Sequence, residues 1–360
     1  MLCKVELKTQ NGGLLVGDNL PVRVNCNVGA NSAEQMAYEK TRLAAIKDSG
    51  VFPDCFMDLS VGRYPEPLYL DIIREFGCPV GIVPAYLFPS IHEITKKSAL
   101  DLLKRLADDG LSFFTIHLTA SLEIYKIAKA NRKIAVTSRG GSIVLRHMME
   151  SGLENIWLSL LPEIISLAKS YGIVVSLGST FRPSGISEAC DEAHIKETEE
   201  QLRLCKLLQG EGVQVMVENV GHIALDRLEE HCKLLRQFNA PIMPLGPTPT
   251  DCAENEDHVA AAIGASMMGY WNCAHIINCI NRSEHTKPFF SIEETLEAIR
   301  TAKLAAHIVD VTHGINVNMD EAMLTKRSST GSCMVYTSNE CARCAQYCPL
   351  KIGEDYGSNN

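Results

Sequence analysis

The sequence predicts a (β/α)8 barrel with a C-terminal helical extension. Three observations predict it: eight short apolar segments, helical patterns between them, and polar residues gathered at the segments' C-terminal ends. The segments span residues 22–29, 55–62, 79–86 and 113–120, then 134–141, 173–180, 213–222 and 241–251. Each is rich in Val, Ile or Phe, and several follow a Gly or Pro stop. A barrel of about 250 residues plus an appendage accounts for the 360-residue chain. An open, doubly wound sheet is the structural alternative.

Taken in order, residues 32–47 carry Met36, Leu43 and Ile46 on one helical face. Residues 91–109 carry Ile94, Leu100, Leu103 and Leu106, and Gly110 suits their C-terminal cap. Residues 187–208 and 225–238 are charged on one side and leucine-rich on the other. After the eighth segment, 256–280 reads as one long helix of small and apolar residues, 291–309 as a second and 318–326 as a short third. Residues 327–339, rich in Ser, Thr and Gly, read as a mobile loop leading into Cys341. The barrel is therefore expected over 1–285 and the extension over 286–360.

Composition narrows the function classes. Hydrophobic residues at 46% and charged residues at 21% describe an ordinary globular chain. A net charge of −9 offers no basic field for a nucleic acid backbone. Polar residues interrupt every apolar stretch well short of a membrane span. Residues 1–19 carry charge and Gly where a signal peptide would be apolar, so a cytoplasmic location is expected. Of the 14 cysteines, Cys55, Cys78, Cys205, Cys232, Cys273 and Cys279 sit in apolar runs and read as buried free thiols.

Polar residues end nearly every proposed strand: Asn25, Asn27, Asp58, Ser60, Tyr86, His117, Ser138, Arg139, Ser179, Glu218, His222 and Asp251. Barrel enzymes build their active sites at that rim. Within it, Ser138-Arg139-Gly140-Gly141 before an apolar helical stretch fits a phosphate cradle, although a tight turn explains Gly-Gly equally well. Arg182 offers a second cation. Glu218-x3-His222, with His285 downstream, can hold a divalent metal, or each His simply hydrogen-bonds at an element end.

The sharpest motif is Cys341-x2-Cys344-x3-Cys348-Pro349. Three thiolates within eight residues can cap three irons of a 4Fe–4S cluster and leave the fourth iron open for S-adenosylmethionine. The same thiols suit zinc, with Cys333 as a fourth ligand.

In order along the chain stand VNCNVGANS, FMDLSVG, PVGIVPAY, FFTIH, TSRGGS, SLGSTFRPSGISEACDEA, VMVENVGH, LGPTPTD, EDHVAAAIGASMMG and SEH. With them the chain resembles the phosphomethylpyrimidine synthase family, non-classical radical S-adenosylmethionine enzymes of thiamine pyrimidine biosynthesis. The resemblance runs from about Asn25 to Cys348. It implies that Met57, Tyr86, His117, Ser138, Arg139, Gly140, Arg182 and Glu218 contact a phosphorylated imidazole ribonucleotide, joined by Asn25 or, the preferred choice, Asn27, with Glu218 also catalytic. It implies that His222 and His285 bind a divalent metal, zinc or iron, and that Cys341, Cys344 and Cys348 hold the 4Fe–4S cluster. It further implies an electron donor such as flavodoxin or ferredoxin and a homodimer in which one subunit's cluster loop closes the other's site; by its composition the stretch 327–339 fits a lid.

Three departures separate this chain from the family pattern. The cysteine spacing is C-x2-C-x3-C where the family has C-x2-C-x4-C. Ser179-Thr180-Phe181-Arg182 stands for Asp-Gly-Leu-Arg, and Met243 for a Tyr. The expected activity is thus a radical S-adenosylmethionine lyase acting on an aminoimidazole ribotide-like nucleotide. The runner-up is a 5-hydroxybenzimidazole synthase of cobamide lower-ligand formation. A non-catalytic nucleotide-binding or redox partner protein is the competing class.

Overall fold

The computed structural model describes residues 3–334, 341 and 343–352. It begins with a hairpin that none of the predicted segments includes, β1 (Lys4–Thr9) and β2 (Gly12–Gly17). Val5, Leu7 and Val16 are buried. Ser112 Oγ donates to Lys8 O at 2.5 Å and Glu6 N to Gln214 Oε1 at 2.7 Å. Both partners precede barrel strands, so the hairpin covers the N-terminal end of the barrel, the end that serves stability.

Then strands and helices alternate: β3 (Arg23–Val28), α1 (Ala33–Ser49), β4 (Cys55–Asp58), α2 (Leu68–Phe76), β5 (Val80–Ile82), α3 (Lys96–Asp108) and β6 (Phe113–Ile116). Three helices follow, α4 (Leu122–Asn131), α5 (Arg139–Ser151) and α6 (Leu161–Tyr171). The circuit finishes with β7 (Val174–Leu177), α7 (Glu192–Gly210), β8 (Val215–His222), α8 (Leu225–Leu235), β9 (Ile242–Thr248), α9 (Asp257–Tyr270) and β10 (Ile276–Asn278). The eight strands β3–β10 form one parallel sheet in the order β10-β3-β4-β5-β6-β7-β8-β9. His275 N donating to Ile242 O at 2.9 Å, and Asn278 Nδ2 to Pro244 O at 3.2 Å, bring its two ends together. The expected (β/α)8 barrel is the observed fold.

Two elements differ from expectation. Residues 134–141 form no strand. Their donors are spent elsewhere: Lys133 N and Ile134 N on the Glu188 carboxylate, Thr137 Oγ1 on Arg182 O. Ser138 then caps α5, which swallows the Arg-Gly-Gly. The missing strand is β10, inside the stretch read as one helix from 256 to 280. That helix stops at Tyr270, and Asn272 turns left-handed at φ 56°. Beyond it the β-branched Ile276 and Ile277 pair with β3. Cys55, Cys205, Cys232, Cys273 and Cys279 are buried, Cys78 half-buried, and all are free thiols.

Small residues let α9 lie close on the barrel. A Cβ on Gly264 would stand 1.6 Å from Pro247 O at the end of β9. No helix among the described residues is long and apolar enough to cross a membrane.

The chain divides into two compact units, Met1–Val309 and Asp310–Asn360. α10 (Ile292–Thr312) buries Ala298, Ile299, Ala302, Ala305, Ala306 and Val309. In the second unit α11 (Val317–Thr330) ends on left-handed Gly331. The loop expected from residue 327 therefore starts after Thr330, and its residues 335–339 lie outside the described residues. Cys344 and Cys348 each lead into a single 3-10 turn, Ala345–Tyr347 and Pro349–Lys351.

Gly264→Ala is expected to destabilise the protein by about 1–3 kcal/mol despite alanine's better helix propensity, because the carbonyl it meets is backbone. The urea midpoint measures this; an unchanged or raised midpoint would contradict the close approach.

Candidate active site

The polar groups at the C-terminal rim fall into two connected sets. The first centres on Glu218 of β8. Its carboxylate is buried and accepts hydrogen bonds from Thr115 Oγ1 of β6 at 2.6 Å and Ser176 Oγ of β7 at 3.3 Å. Burial raises its pKa to about 7, against the pull of Thr115, Arg182 and Ser176 toward the charged form. A carboxyl poised there can give or take a proton near neutrality. Arg182, half-buried, donates to Ser179 O at 2.9 Å. Burial weighs on its guanidinium while Glu218, Tyr86 and Glu197 stabilise its charge.

Tyr86 sits in a 3-10 turn after β5, with the Arg139 guanidinium 5.0 Å from its ring centre. Burial pushes the phenol up, and both arginines oppose that. Arg139 opens α5, whose first turn contains no acidic residue. Ser138, its N-cap, accepts from Gly141 N at 3.1 Å and lies 2.6 Å from His117 Nε2. His117 is packed so tightly that a Cβ on Gly140 would come within 2.3 Å of its ring. Desolvation lowers its pKa to about 3, so it is neutral at physiological pH. Its Nδ1 is buried without a hydrogen-bond partner among the described residues.

Asn27 and Met57 face each other in the register of β3 and β4. Asn27 lines a rim cavity with Arg139, Asn281 and Glu284. Asn25 is fully buried behind it, donating to Asn278 Oδ1 at 2.6 Å and Asn27 Oδ1 at 2.9 Å.

The second set is the histidine pair. The rings of His222 and His285 lie 5.2 Å apart, edge to face. His222 Nδ1 is 2.8 Å from Asp251 Oδ1, and His285 Nδ1 is 2.8 Å from Asp257 Oδ1. Asp251 also accepts from Ile186 N at 3.1 Å, and Asp257 from His285 N at 3.1 Å. Each carboxylate thus fixes one ring nitrogen and leaves Nε2 available to a metal, as carboxylates behind metal-ligating histidines do. The donor set fits a divalent cation. Spacing alone did not single out Asp257, Thr115 or Ser176; each acts through a neighbouring strand or loop.

The loop after β7 is held by a carboxylate that the sequence reading did not single out. Glu197 of α7 accepts from Thr119 Oγ1 at 2.7 Å, Ser179 Oγ at 2.8 Å, Thr180 N at 2.5 Å and Phe181 N at 2.7 Å. Cys341, Cys344 and Cys348 belong to the second unit. Their thiols are free, with Cys344 exposed and the other two half-buried, which fits capping an iron–sulfur cluster.

A parallel barrel whose rim gathers a poised carboxyl, two arginines and a carboxylate-backed histidine pair is a (β/α)8-barrel protein of the enzymatic kind. The chain belongs to the radical SAM ThiC family, which it matches over residues 2–355. Radical SAM membership carries with it a 4Fe–4S cluster and S-adenosylmethionine. The chain is 29% identical to the phosphomethylpyrimidine synthase of Carboxydothermus hydrogenoformans, over 96% of this chain and 87% of that protein. It is 30% identical to that of Caldanaerobacter subterraneus, over 95% and 86%. It is 33% identical to that of Pyrococcus furiosus, over 82% and 71%.

Glu218 makes stability depend on pH. Its native pKa lies above the ordinary 4.5, so the native state binds its proton more tightly than the unfolded chain does. Stability from this group is present below about 4.5 and is lost as pH rises through about 7. Glu218→Gln, which keeps an acceptor for Thr115, should therefore raise stability at pH 8 by about 2–4 kcal/mol relative to its effect at pH 4. Denaturant unfolding at the two pH values tests this, and an equal effect at both would refute the raised pKa.

Proposed function

We propose that the chain is a radical S-adenosylmethionine lyase that rearranges an aminoimidazole ribotide-like nucleotide to the phosphomethylpyrimidine named by its relatives. One observation carries the reading. The acid-free N-terminus of α5 with Arg139, the Glu218–Arg182 pair, and the His222–His285 pair all stand at the same rim.

Each part has a task. The phosphate suits the N-terminus of α5, where Ser138, Arg139 and Gly140 offer a positive dipole end and a guanidinium. Asn27, Met57, Tyr86 and neutral His117 enclose the sugar and base, and Arg182 adds a second cation. Glu218 moves a proton on the imidazole, its pKa of about 7 suiting both directions. His222 and His285 hold a zinc or iron ion through their Nε2 atoms. Cys341, Cys344 and Cys348 hold the cluster, which with S-adenosylmethionine supplies a 5′-deoxyadenosyl radical when reduced by a flavodoxin or ferredoxin. The barrel of residues 1–285 thus carries substrate and metal, residues 286–360 carry the cluster, and the enzyme works as a cytoplasmic homodimer.

Asp251→Asn and Asp257→Asn should each weaken divalent-metal binding at the histidine pair about 10–100-fold, read by chelator competition. Unchanged affinity in both would remove the metal from this pair.

For the reaction itself, the reconstituted, reduced protein is given S-adenosylmethionine and aminoimidazole ribotide without oxygen, and products are read by mass spectrometry. 5′-Deoxyadenosine together with a hydroxymethylpyrimidine phosphate is the expected result. Deoxyadenosine with another product would keep the radical chemistry and displace the pyrimidine. A verified cluster that cleaves no S-adenosylmethionine would overturn the enzyme reading.

A further inference from the structure

On the outer side of β8, between that strand and the helices covering it, three donors meet. Cys190 ends the loop after β7, His194 lies in the first turn of α7, and His231 is on α8. One donor atom from each lies within 4.8 Å of the other two. The two imidazole rings stack at 4.3 Å with a 32° tilt, and both histidines are buried. We propose that Cys190, His194 and His231 form a second metal site, distinct from the His222–His285 pair, that takes Zn2+.

The argument starts from Asn219. Its Nδ2 donates to Gln201 Oε1 at 2.7 Å and Thr198 Oγ1 at 3.2 Å, and its Oδ1 accepts from Val220 N at 2.6 Å, which fixes the amide's orientation. That same Oδ1 lies 2.8 Å from His231 Nε2 and 3.2 Å from His194 Nε2. An oxygen with no proton can only accept, so both Nε2 atoms carry the hydrogen and both Nδ1 atoms carry a lone pair. His194 Nδ1 accepts the Cys190 backbone N–H at 3.2 Å, which puts Cys190 on the Nδ1 side of the ring. His231 Nδ1 is buried and has no hydrogen-bond partner among the described residues. A buried lone pair left unfilled costs about 1–3 kcal/mol, and a cation would fill it.

Chemistry selects the ion. One thiolate and two neutral imidazoles are borderline-soft donors that suit zinc, and a hydrogen bond that fixes the far nitrogen of each ring is usual in such a site. Burial holds both imidazoles neutral, His194 with a pKa of about 4 and His231 well below its ordinary value. Burial raises the Cys190 thiol; Arg227 opposes this while Glu230 and Asp191 add to it. Binding therefore forms the sulfur–zinc bond as the thiol proton leaves to solvent, and His194 Nδ1 exchanges the Cys190 N–H for the metal. The path is an open cavity lined by Cys190, Asp226, Arg227, Glu230, His231 and Lys233, where two carboxylates stand beside two cationic side chains. Three protein donors leave the fourth zinc position to water from that cavity.

The ion would tie the loop after β7 to α7 and α8, and through Asn219 to the strand that carries Glu218. The test is zinc titration of His222→Ala/His285→Ala protein, with its iron–sulfur cluster reconstituted so that the terminal cysteines are engaged. One zinc should bind with release of about one proton, and zinc X-ray absorption should show one sulfur ligand. Cys190→Ser and His231→Asn should each weaken that binding at least about tenfold. Cys190 is half-buried in a loop, so its serine variant decides the matter if His231→Asn does not fold. No zinc bound in the double-alanine background, or an affinity unchanged by Cys190→Ser, would overturn the proposal.

Discussion

A strand shows successive side chains to opposite sides, and the polar organisation of this protein hangs on that alternation at two positions of β8. Glu218 turns into the barrel, where Thr115 and Ser176 meet its carboxylate. Asn219 turns outward, where Thr198, Gln201, His194 and His231 surround its amide. The two environments share one more tie, since Gln201 Nε2 donates to Glu218 O at 2.8 Å. Directly after them the pairing with β9 slips between Val220 and His222. Val220 and Gly221 both take positive φ, 88° and 93°, and a Cβ on Gly221 would meet Pro183 O at 2.5 Å. The bulge re-aims the chain so that His222 reaches Asp251 rather than continuing the ladder.

Around Glu218, burial disfavours charge and neighbouring groups restore it in part. Glu218 and Arg182 stabilise each other's charged form, and Tyr86 feels both Arg139 and Arg182. In a site of low dielectric such interactions reach further than in water. Neutral His117 adds a polar edge without adding charge.

Much of this was legible in the sequence, because buried parallel strands advertise themselves as short β-branched runs and seven of the eight were read in place. The eighth was hidden because α9 and β10 form one nearly continuous apolar stretch, whose break is carried by Asn272 alone. Residues 134–141 misled for the opposite reason. Their apolar core is only Ile134, Ala135 and Val136; the Glu188 carboxylate takes up the Ile134 N–H, and the Thr137 hydroxyl donates to Arg182 O. The rim residues were readable as strand ends. Asp257, Glu197 and Asn219 were not, since a supporting residue is defined by what it faces across the fold, not by its spacing along the chain.

The Glu197 latch bears on how this barrel tolerates change. Two of its four hydrogen bonds come from the main-chain N–H groups of Thr180 and Phe181, which any residue but proline supplies. Loop shape is thus independent of side-chain identity at Thr180 and Phe181, whereas Ser179 joins the latch through its own hydroxyl. At those two positions a side chain can change while the course of the main chain past the rim is kept.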